Sequence, residues 1–292
     1  MQASVGVIGL GAMGAPMAER LHRAGVLRCA WNRTRARVAS WAESLGMALA
    51  AGPAELAAQC EIVILSVSRE PDLMEVIEAM ASRLAAGTVV IDTSTVSSGG
   101  AQRARDRLAQ CRVEFLDAPV SGGVEGARNG TLVMMVGGDA AVLDRVQPVL
   151  AHLSRKVAHM GPTGSGQATK AVNQIMVAGI AQGVCEALAF GSRMGLDLDK
   201  VIEITGGGAA ANWFLDHRGP TMIRDRFAPG FRVGLHHKDL KICRDMVSSA
   251  REHSALPVVE MSLRHYERLM ADGYGDEDIS ALYRIKRAAL DA

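Results

Sequence analysis

The sequence predicts an α/β domain built on a parallel sheet with helices on both faces, followed by an all-α domain and joined to it by one long helix. Three observations lead there. Short β-rich runs alternate with helical stretches through the first 160 residues, which is the signature of βαβ units. A glycine-rich turn follows the first of these runs directly and opens a helix. Beyond residue 161 no comparable β-rich run appears, while helical spacing of apolar residues persists to the end.

The expected strands cover residues 4–9, 26–31, 47–49, 62–67, 88–92, 114–117, 131–136 and 156–160, the glycine-rich segment 121–130 separating two of them. The seam falls in Gly161-Pro162-Thr163-Gly164-Ser165-Gly166, so the expected domains are residues 1–162 and 163–292. The joining helix, roughly residues 167–195, is apolar nearly all round and is expected to be packed on most sides, with a cleft where its first turn meets the sheet. Further helices are expected at 201–205, 240–250, 257–272 and 279–289.

Composition narrows the function. The chain has 292 residues, 49% hydrophobic and 22% charged, which excludes a mostly disordered protein. Thirty-two Lys and Arg against thirty-one Asp and Glu give +1, so no global field recruits nucleic acid or an anionic membrane. The five cysteines are scattered, without a C-x-x-C pair, and read as buried thiols in a reducing compartment. The apolar stretch 4–18 lacks a basic lead and carries four glycines, and the stretch 171–190 contains Asn173, Gln174, Gln182 and Glu186. Neither reads as a targeting or spanning segment, and the expected location is the cytoplasm.

Gly9-Leu10-Gly11-Ala12-Met13-Gly14 fits G-x-G-x-x-G between a strand and a helix, the arrangement a dinucleotide pyrophosphate requires, and this makes the first domain Rossmann-type. Gly9 permits the turn, Gly11 the approach of the phosphates, and Gly14 close helix packing. At the end of the second strand, Trp31-Asn32-Arg33-Thr34 has no carboxylate for a ribose diol. Arg33 can pair with a 2′-phosphate, with Asn32 and Thr34 as hydrogen-bond donors, so NADP(H) is expected in preference to NAD(H). Val67, ending the strand 62–67, completes the expected cofactor wall.

The chemistry is expected at Lys170, one of only six lysines, in the first turn of an apolar helix, where burial and macrodipole both lower a lysine pKa. Such a lysine can give a proton to a carbonyl oxygen and take it back. Asn173 lies three residues on, on the same face, and can orient the lysine or the substrate oxygen. Backbone N–H groups of Ser121, Gly122 and Gly123 are expected to cradle a carboxylate. In His236-His237-Lys238-Asp239-Leu240, taken to precede a helix, Lys238 is a candidate substrate ligand and Asp239 a holder of a neighbouring lysine; the spacing supports no metal site. Trp213, Phe214, Phe231 and Met176 are expected to set pocket size, and residues 206–213 to form either part of the pocket, a subunit contact or a plain interhelical loop.

Four segments together carry a resemblance: residues 7–18; Asp117-Ala118-Pro119-Val120-Ser121-Gly122-Gly123; Gly164-Ser165-Gly166-Gln167-Ala168-Thr169-Lys170-Ala171-Val172-Asn173-Gln174; and Lys238-Asp239-Leu240. In this order the chain resembles the β-hydroxyacid dehydrogenase family over nearly its whole length. That family includes 3-hydroxyisobutyrate dehydrogenases, tartronate semialdehyde reductases and glyoxylate/succinic semialdehyde reductases, and more distantly 6-phosphogluconate dehydrogenase. The resemblance implies Lys170 as general acid/base, and Ser121, Gly122, Gly123, Asn173 and Lys238 as substrate ligands. It implies Thr95 beside the nicotinamide, Lys238 near the cofactor as well, and a homodimer or homotetramer built through the helical domain. Some relatives carry the asparagine four residues after the lysine, where this chain has Gln174. Imine reductases share the fold but lack the lysine. The competing reading, a non-catalytic NADPH-binding protein, is disfavoured by the joint presence of Lys170, Asn173, Lys238 and the Ser-Gly-Gly loop.

Overall fold

The structure, a computed structural model, describes residues 4–250 and 255–291. The chain divides into two compact units, Met1–Lys170 and Ala171–Ala292. The division falls eight residues beyond the expected seam. The start of the long helix stays with the first unit because that unit's own groups hold it, as described below.

In the first unit, β1 (Val5–Ile8), β2 (Leu27–Trp31), β3 (Ile62–Leu65), β4 (Val89–Asp92) and β5 (Glu114–Asp117) form a parallel sheet in the order β2-β1-β3-β4-β5. The residues alternate between two buried faces. Val5, Val7, Ile62, Ile64, Val89 and Ile91 pack in one core, and Ile8, Val63, Leu65 and Val90 in the other. Burial on both faces demands unbroken apolar runs, which is why these strands read as IVIL and VVID rather than as alternation. The expected strand at 47–49 reduces to a single parallel bridge, Ala30↔Leu49. Next to it Met47 is buried in the core while Leu49 is only partly buried, so one short edge contact replaces a ladder.

Past β5 the sheet changes sense. The strand β6 (Val120–Ser121) pairs antiparallel with β7 (Leu132–Gly137), β7 also meets β5 antiparallel, and β8 (Ser154–Gly161) pairs parallel with β7. The glycine-rich segment 121–130 is therefore not merely a loop. It holds β6's last residue and a one-to-two-turn helix, Gly123–Asn129, closed by Gly130 in the left-handed region (φ 67°).

Four helices matter for the site: α1 (Gly14–Arg23), α2 (Glu70–Ala81), α3 (Ser165–Arg193) and α4 (Val233–Ala250). Because α3 begins at Ser165, Lys170 stands in its second turn rather than its first, and the macrodipole weighs less on it than expected. Because α4 begins at Val233, residues 236–240 lie inside the helix rather than before it. The second unit is helical, with a further helix, Trp213–Met222, that Gly219 and Pro220 hid from the sequence. Its core includes Ala178, Ala181, Cys185, Leu188, Leu240, Leu263 and Tyr266.

The helix α3 is long and apolar enough to cross a membrane by length and composition alone. Gln174 and Gln182 within it are buried and hydrogen-bonded to residues of other helices of the second unit, which is how a core helix of a folded domain is built. It is not packed all round, however. Val172, Met176, Ile180 and Phe190 are exposed along one stripe, continued by Met194 just past the end of the helix.

Candidate active site

The glycine turn is shaped by two close approaches and one opening. Gly9 sits at φ +93°, and a Cβ there would lie 2.2 Å from the Ser66 carbonyl oxygen. At Gly14 a Cβ would lie 1.8 Å from the Gly9 carbonyl oxygen, so the helix starts as near the strand as backbone permits. At Gly11 a Cβ would meet nothing within 4 Å. Packing therefore does not require that glycine, and the space beside it is open. The helix α1 also starts without a side-chain cap and without an acid in its first turn, leaving its N-terminal partial charge to an outside anion. The residues present fit the pyrophosphate of a dinucleotide.

Asn32 makes two bonds within the protein. Its Oδ1 accepts from the Leu10 N–H at 3.0 Å and its Nδ2 donates to the Thr34 carbonyl at 3.1 Å. It ties the glycine turn to the end of β2. Arg33 donates through Nη1 to Asp72 Oδ1 at 2.9 Å, and Arg69 donates through Nε to Asp72 Oδ2 at 3.3 Å. Burial alone would raise the Asp72 carboxyl, but the hydrogen bonds from Arg33 and Arg69 hold it below its ordinary range. Thr34 is exposed at the start of a 3₁₀ turn and makes no side-chain cap.

Thr95 is positioned by Gln167. The Gln167 Nε2 donates to the Ser94 carbonyl at 2.9 Å and its Oε1 accepts from the Val96 N–H at 3.2 Å, gripping the backbone on either side of Thr95. Ser94 in turn accepts through Oγ from the Val67 N–H at 2.9 Å. Gln167 lies within the motif Gly164 to Gln174, and the only sign of this part in the sequence is an amide side chain beside the glycines of a turn.

Lys170 is 8% exposed, and its Nζ donates to the Val120 carbonyl at 2.9 Å. Three residues before Val120, Asp117 accepts from the Gly164 and Gln167 N–H groups at 2.8 and 2.9 Å. Burial pushes the Asp117 carboxyl up, and the backbone N–H bonds oppose that rise. One four-residue segment, Asp117 to Val120, thus grips α3 twice, at its start through Asp117 and at the lysine through Val120. The grip is tight: a Cβ on Gly166 would lie 2.4 Å from the Met135 carbonyl oxygen and 2.8 Å from Asp117 Oδ2.

The next residue, Ser121, faces Val133 in the β6–β7 ladder, and Gly122 and Gly123 both have positive φ. Met135 N–H donates to Pro119 O, so by the alternation of an antiparallel ladder Ser121 and Val133 form the next hydrogen-bonded pair. That commits the Ser121 backbone and leaves its hydroxyl as the group able to meet a ligand.

The second unit carries its own polar chain. Asn173 Nδ2 donates to Gln174 Oε1 at 2.8 Å, and Gln174 Nε2 donates to Asp239 Oδ2 at 2.7 Å. Lys238 Nζ lies 3.1 Å from Asp239 Oδ1. Asp239 is 4% exposed, with an ammonium on one oxygen and an amide on the other, so it acts on its neighbours. The two histidines diverge: His236 Nδ1 pairs with Tyr266 Oη at 3.0 Å and Nε2 with the Gln174 carbonyl oxygen at 3.2 Å, whereas His237 meets Glu267 at 3.4 Å. Among the described residues no metal-ligating cluster of His, Cys, Asp and Glu forms. The residues expected to set pocket size differ in their surroundings. Phe214 is buried in the helical core, Phe231 leans on His236, and Trp213 and Met176 are exposed. Of residues 206–213, Gly206 ends one helix and Asn212 caps the next through its Oδ1.

Similarity to known proteins extends over both units. Residues 4–161 match the NAD-binding domain of 6-phosphogluconate dehydrogenase, and residues 164–286 match the NAD-binding domain of NADP-dependent 3-hydroxyisobutyrate dehydrogenase. The 2-hydroxy-3-oxopropionate reductase of Escherichia coli is 35% identical over 281 residues, 95% of each chain. An NAD-dependent L-serine dehydrogenase of Pseudomonas aeruginosa is 31% identical over 96% of this chain and 97% of its own. Among solved structures, 3-hydroxyisobutyrate dehydrogenase of Mycobacterium tuberculosis with L-serine superposes with a TM-score of 0.88 at 30% identity, covering 98% of this chain and all of that one. An imine reductase from a Pseudomonas species, 18% identical with a TM-score of 0.65, shares the fold.

Proposed function

Because the chain belongs to the β-hydroxyacid dehydrogenase family and is an oxidoreductase acting on hydroxyl groups with a nicotinamide cofactor, we propose that it interconverts a small β-hydroxyacid and its semialdehyde, with NADPH preferred and Lys170 as general acid/base. The observation that carries the reading is the lysine itself: buried, held by a backbone carbonyl, and adjacent in the fold to the Ser121 hydroxyl's own strand. Gly9 to Gly14, Val67 and Thr95 would hold the cofactor, which supplies or accepts a hydride when bound.

The protein's part is the proton. In the reducing direction the Lys170 ammonium donates to the carbonyl oxygen as it becomes a hydroxyl, and the neutral amine takes the proton back in the oxidising direction. The Val120 carbonyl fixes where the Nζ stands, and Asp117 fixes the helix that carries it. Asn173, Lys238 and the Ser121-Gly122-Gly123 turn are assigned to the substrate, with Asp239 and Gln174 orienting Lys238 and Asn173.

NADPH is favoured over NADH because no carboxylate follows β2 and Arg33 does. The substrate class is a tartronate semialdehyde or 3-hydroxyisobutyrate type; glyoxylate and succinic semialdehyde are the second choice, since one methylene is worth only about 1–3 kcal/mol of discrimination. The exposed stripe Val172, Met176, Ile180, Phe190 and Met194 supports the proposal of a homo-oligomer formed through the helical unit. The test is NADPH and NADH oxidation against tartronate semialdehyde, methylmalonate semialdehyde, glyoxylate and succinic semialdehyde. Turnover of tartronate semialdehyde or methylmalonate semialdehyde with NADPH is expected. No turnover of any of the four with either coenzyme would refute the reading.

A further inference from the structure

We propose that Asp72 and Arg69, with Arg33, make the end of β2 a two-guanidinium seat for the 2′-phosphate of the coenzyme, Asp72 being the positioning residue and Arg69 the second arm. The inference rests on the NADPH reading and deepens it. The three residues come from different places: Arg33 lies two residues past β2, Arg69 immediately precedes α2, and Asp72 is in the first turn of α2.

The arrangement is layered. The Asp72 side chain is 11% exposed, whereas Arg33 and Arg69 are 65% and 66% exposed. The carboxylate thus lies beneath two guanidinium groups that reach solvent. Each of its oxygens takes one nitrogen from one arginine, at 2.9 and 3.3 Å. Neither arginine closes a two-point fork on the carboxylate, and a guanidinium has five N–H donors, so each retains donors for an outside anion. Two cations over one anion leave an excess positive charge. Glu75 Oε2 lies 3.9 Å from Arg33, but it is 70% exposed and weakly coupled through solvent.

Location selects the ligand. This turn is where a ribose-binding acid stands in NAD-specific units, and Asn32 ties it to the Leu10 N–H of the glycine turn. A diphosphate held at the glycine turn therefore brings its adenosine end toward a turn whose basic groups are already ordered. Holding two long side chains side by side before binding lowers the ordering cost of capturing a phosphate dianion.

The test uses fragments rather than turnover. Dissociation constants of 2′,5′-ADP and 5′-AMP, which differ only by the 2′-phosphate, are measured calorimetrically on the full chain. The wild type is expected to bind 2′,5′-ADP at least about tenfold more tightly. Arg69→Ala and Asp72→Asn should each lower that ratio by about threefold or more, with 5′-AMP affinity unchanged, and Arg69→Lys should recover part of it. If Arg33→Ala abolishes the preference while Arg69→Ala and Asp72→Asn leave it intact, the seat is refuted and the NADPH reading stands. A stronger preference in Asp72→Asn would also overturn it, showing that the carboxylate opposes the phosphate. If the wild type shows no preference, both fall together. Should Asp72→Asn not fold, the exposed Arg69→Ala carries the decision.

Discussion

The two units hold their candidate residues by opposite means. In the first, the shape comes largely from close backbone packing: glycines at which a Cβ would fall within 2.4 Å of a carbonyl oxygen, helix-start N–H groups held by the Asp117 carboxylate, and a lysine held by the Val120 carbonyl. In the second, it comes from side chains handing hydrogen bonds along a row, from Asn173 through Gln174 to Asp239 and Lys238. A backbone-built site is intolerant of added atoms. A side-chain row is intolerant of lost donors and acceptors.

Substitutions can break this contrast, and the largest effect belongs to the glycine turn. Gly14→Ala puts a methyl 1.8 Å from the Gly9 carbonyl oxygen, and we expect a loss of more than about 3 kcal/mol or failure to fold, read by thermal denaturation. Gly11→Ala adds a methyl where the protein offers no contact. Its stability should stay within about 0.5 kcal/mol of the parent, while coenzyme affinity weakens at least about tenfold. Equal destabilisation in both would show that the opening at Gly11 is not a ligand seat.

The side-chain row is tested by Gln174→Leu, which removes the Asn173 acceptor and the amide that donates to the buried Asp239 carboxylate. We expect a cost of about 1–3 kcal/mol and a fall in kcat/KM, with coenzyme affinity preserved. A variant with parental kcat/KM would show that the row does not serve the substrate.

The smallest effect is a pH dependence in the second unit. His265 is partly buried beside Gln182, and burial, with Lys286 and Arg264 nearby, lowers its pKa from 6.5. The native form therefore favours the neutral ring, whereas the unfolded chain protonates near 6.5. Between those two values the unfolded state binds more protons, so stability is full above about 6.5 and is lost as pH falls. His265→Gln should flatten that part of the stability profile, measured by denaturant titration at several pH values.

How much of this could be read from the sequence follows the same division. The sheet was legible because burial on both faces writes itself as apolar runs, and the glycine turn because its spacing sits between a strand and a helix. The strand at 47–49 misled because one bridge has the local composition of a ladder. The early start of α4 was hidden by Gly234 and the paired histidines, and the helix at Trp213–Met222 by Gly219-Pro220. Lys170 stood out because lysine is scarce and its surroundings are apolar. The Arg33–Asp72 pair spans 39 residues and the Gln174–Asp239 pair 65, and no local pattern encodes partners that distant. Arg33 was seen as a cation without its counter-ion, and Gln174 as a departure without its role.

The central claim is that Lys170 exchanges the proton. Turnover of Lys170→Ala, measured with and without a small primary amine such as ethylamine, tests it most directly. The account predicts a fall in kcat of about 10²–10⁴ with coenzyme affinity retained, and partial recovery that rises with amine concentration. Parental turnover in the variant without added amine would contradict it.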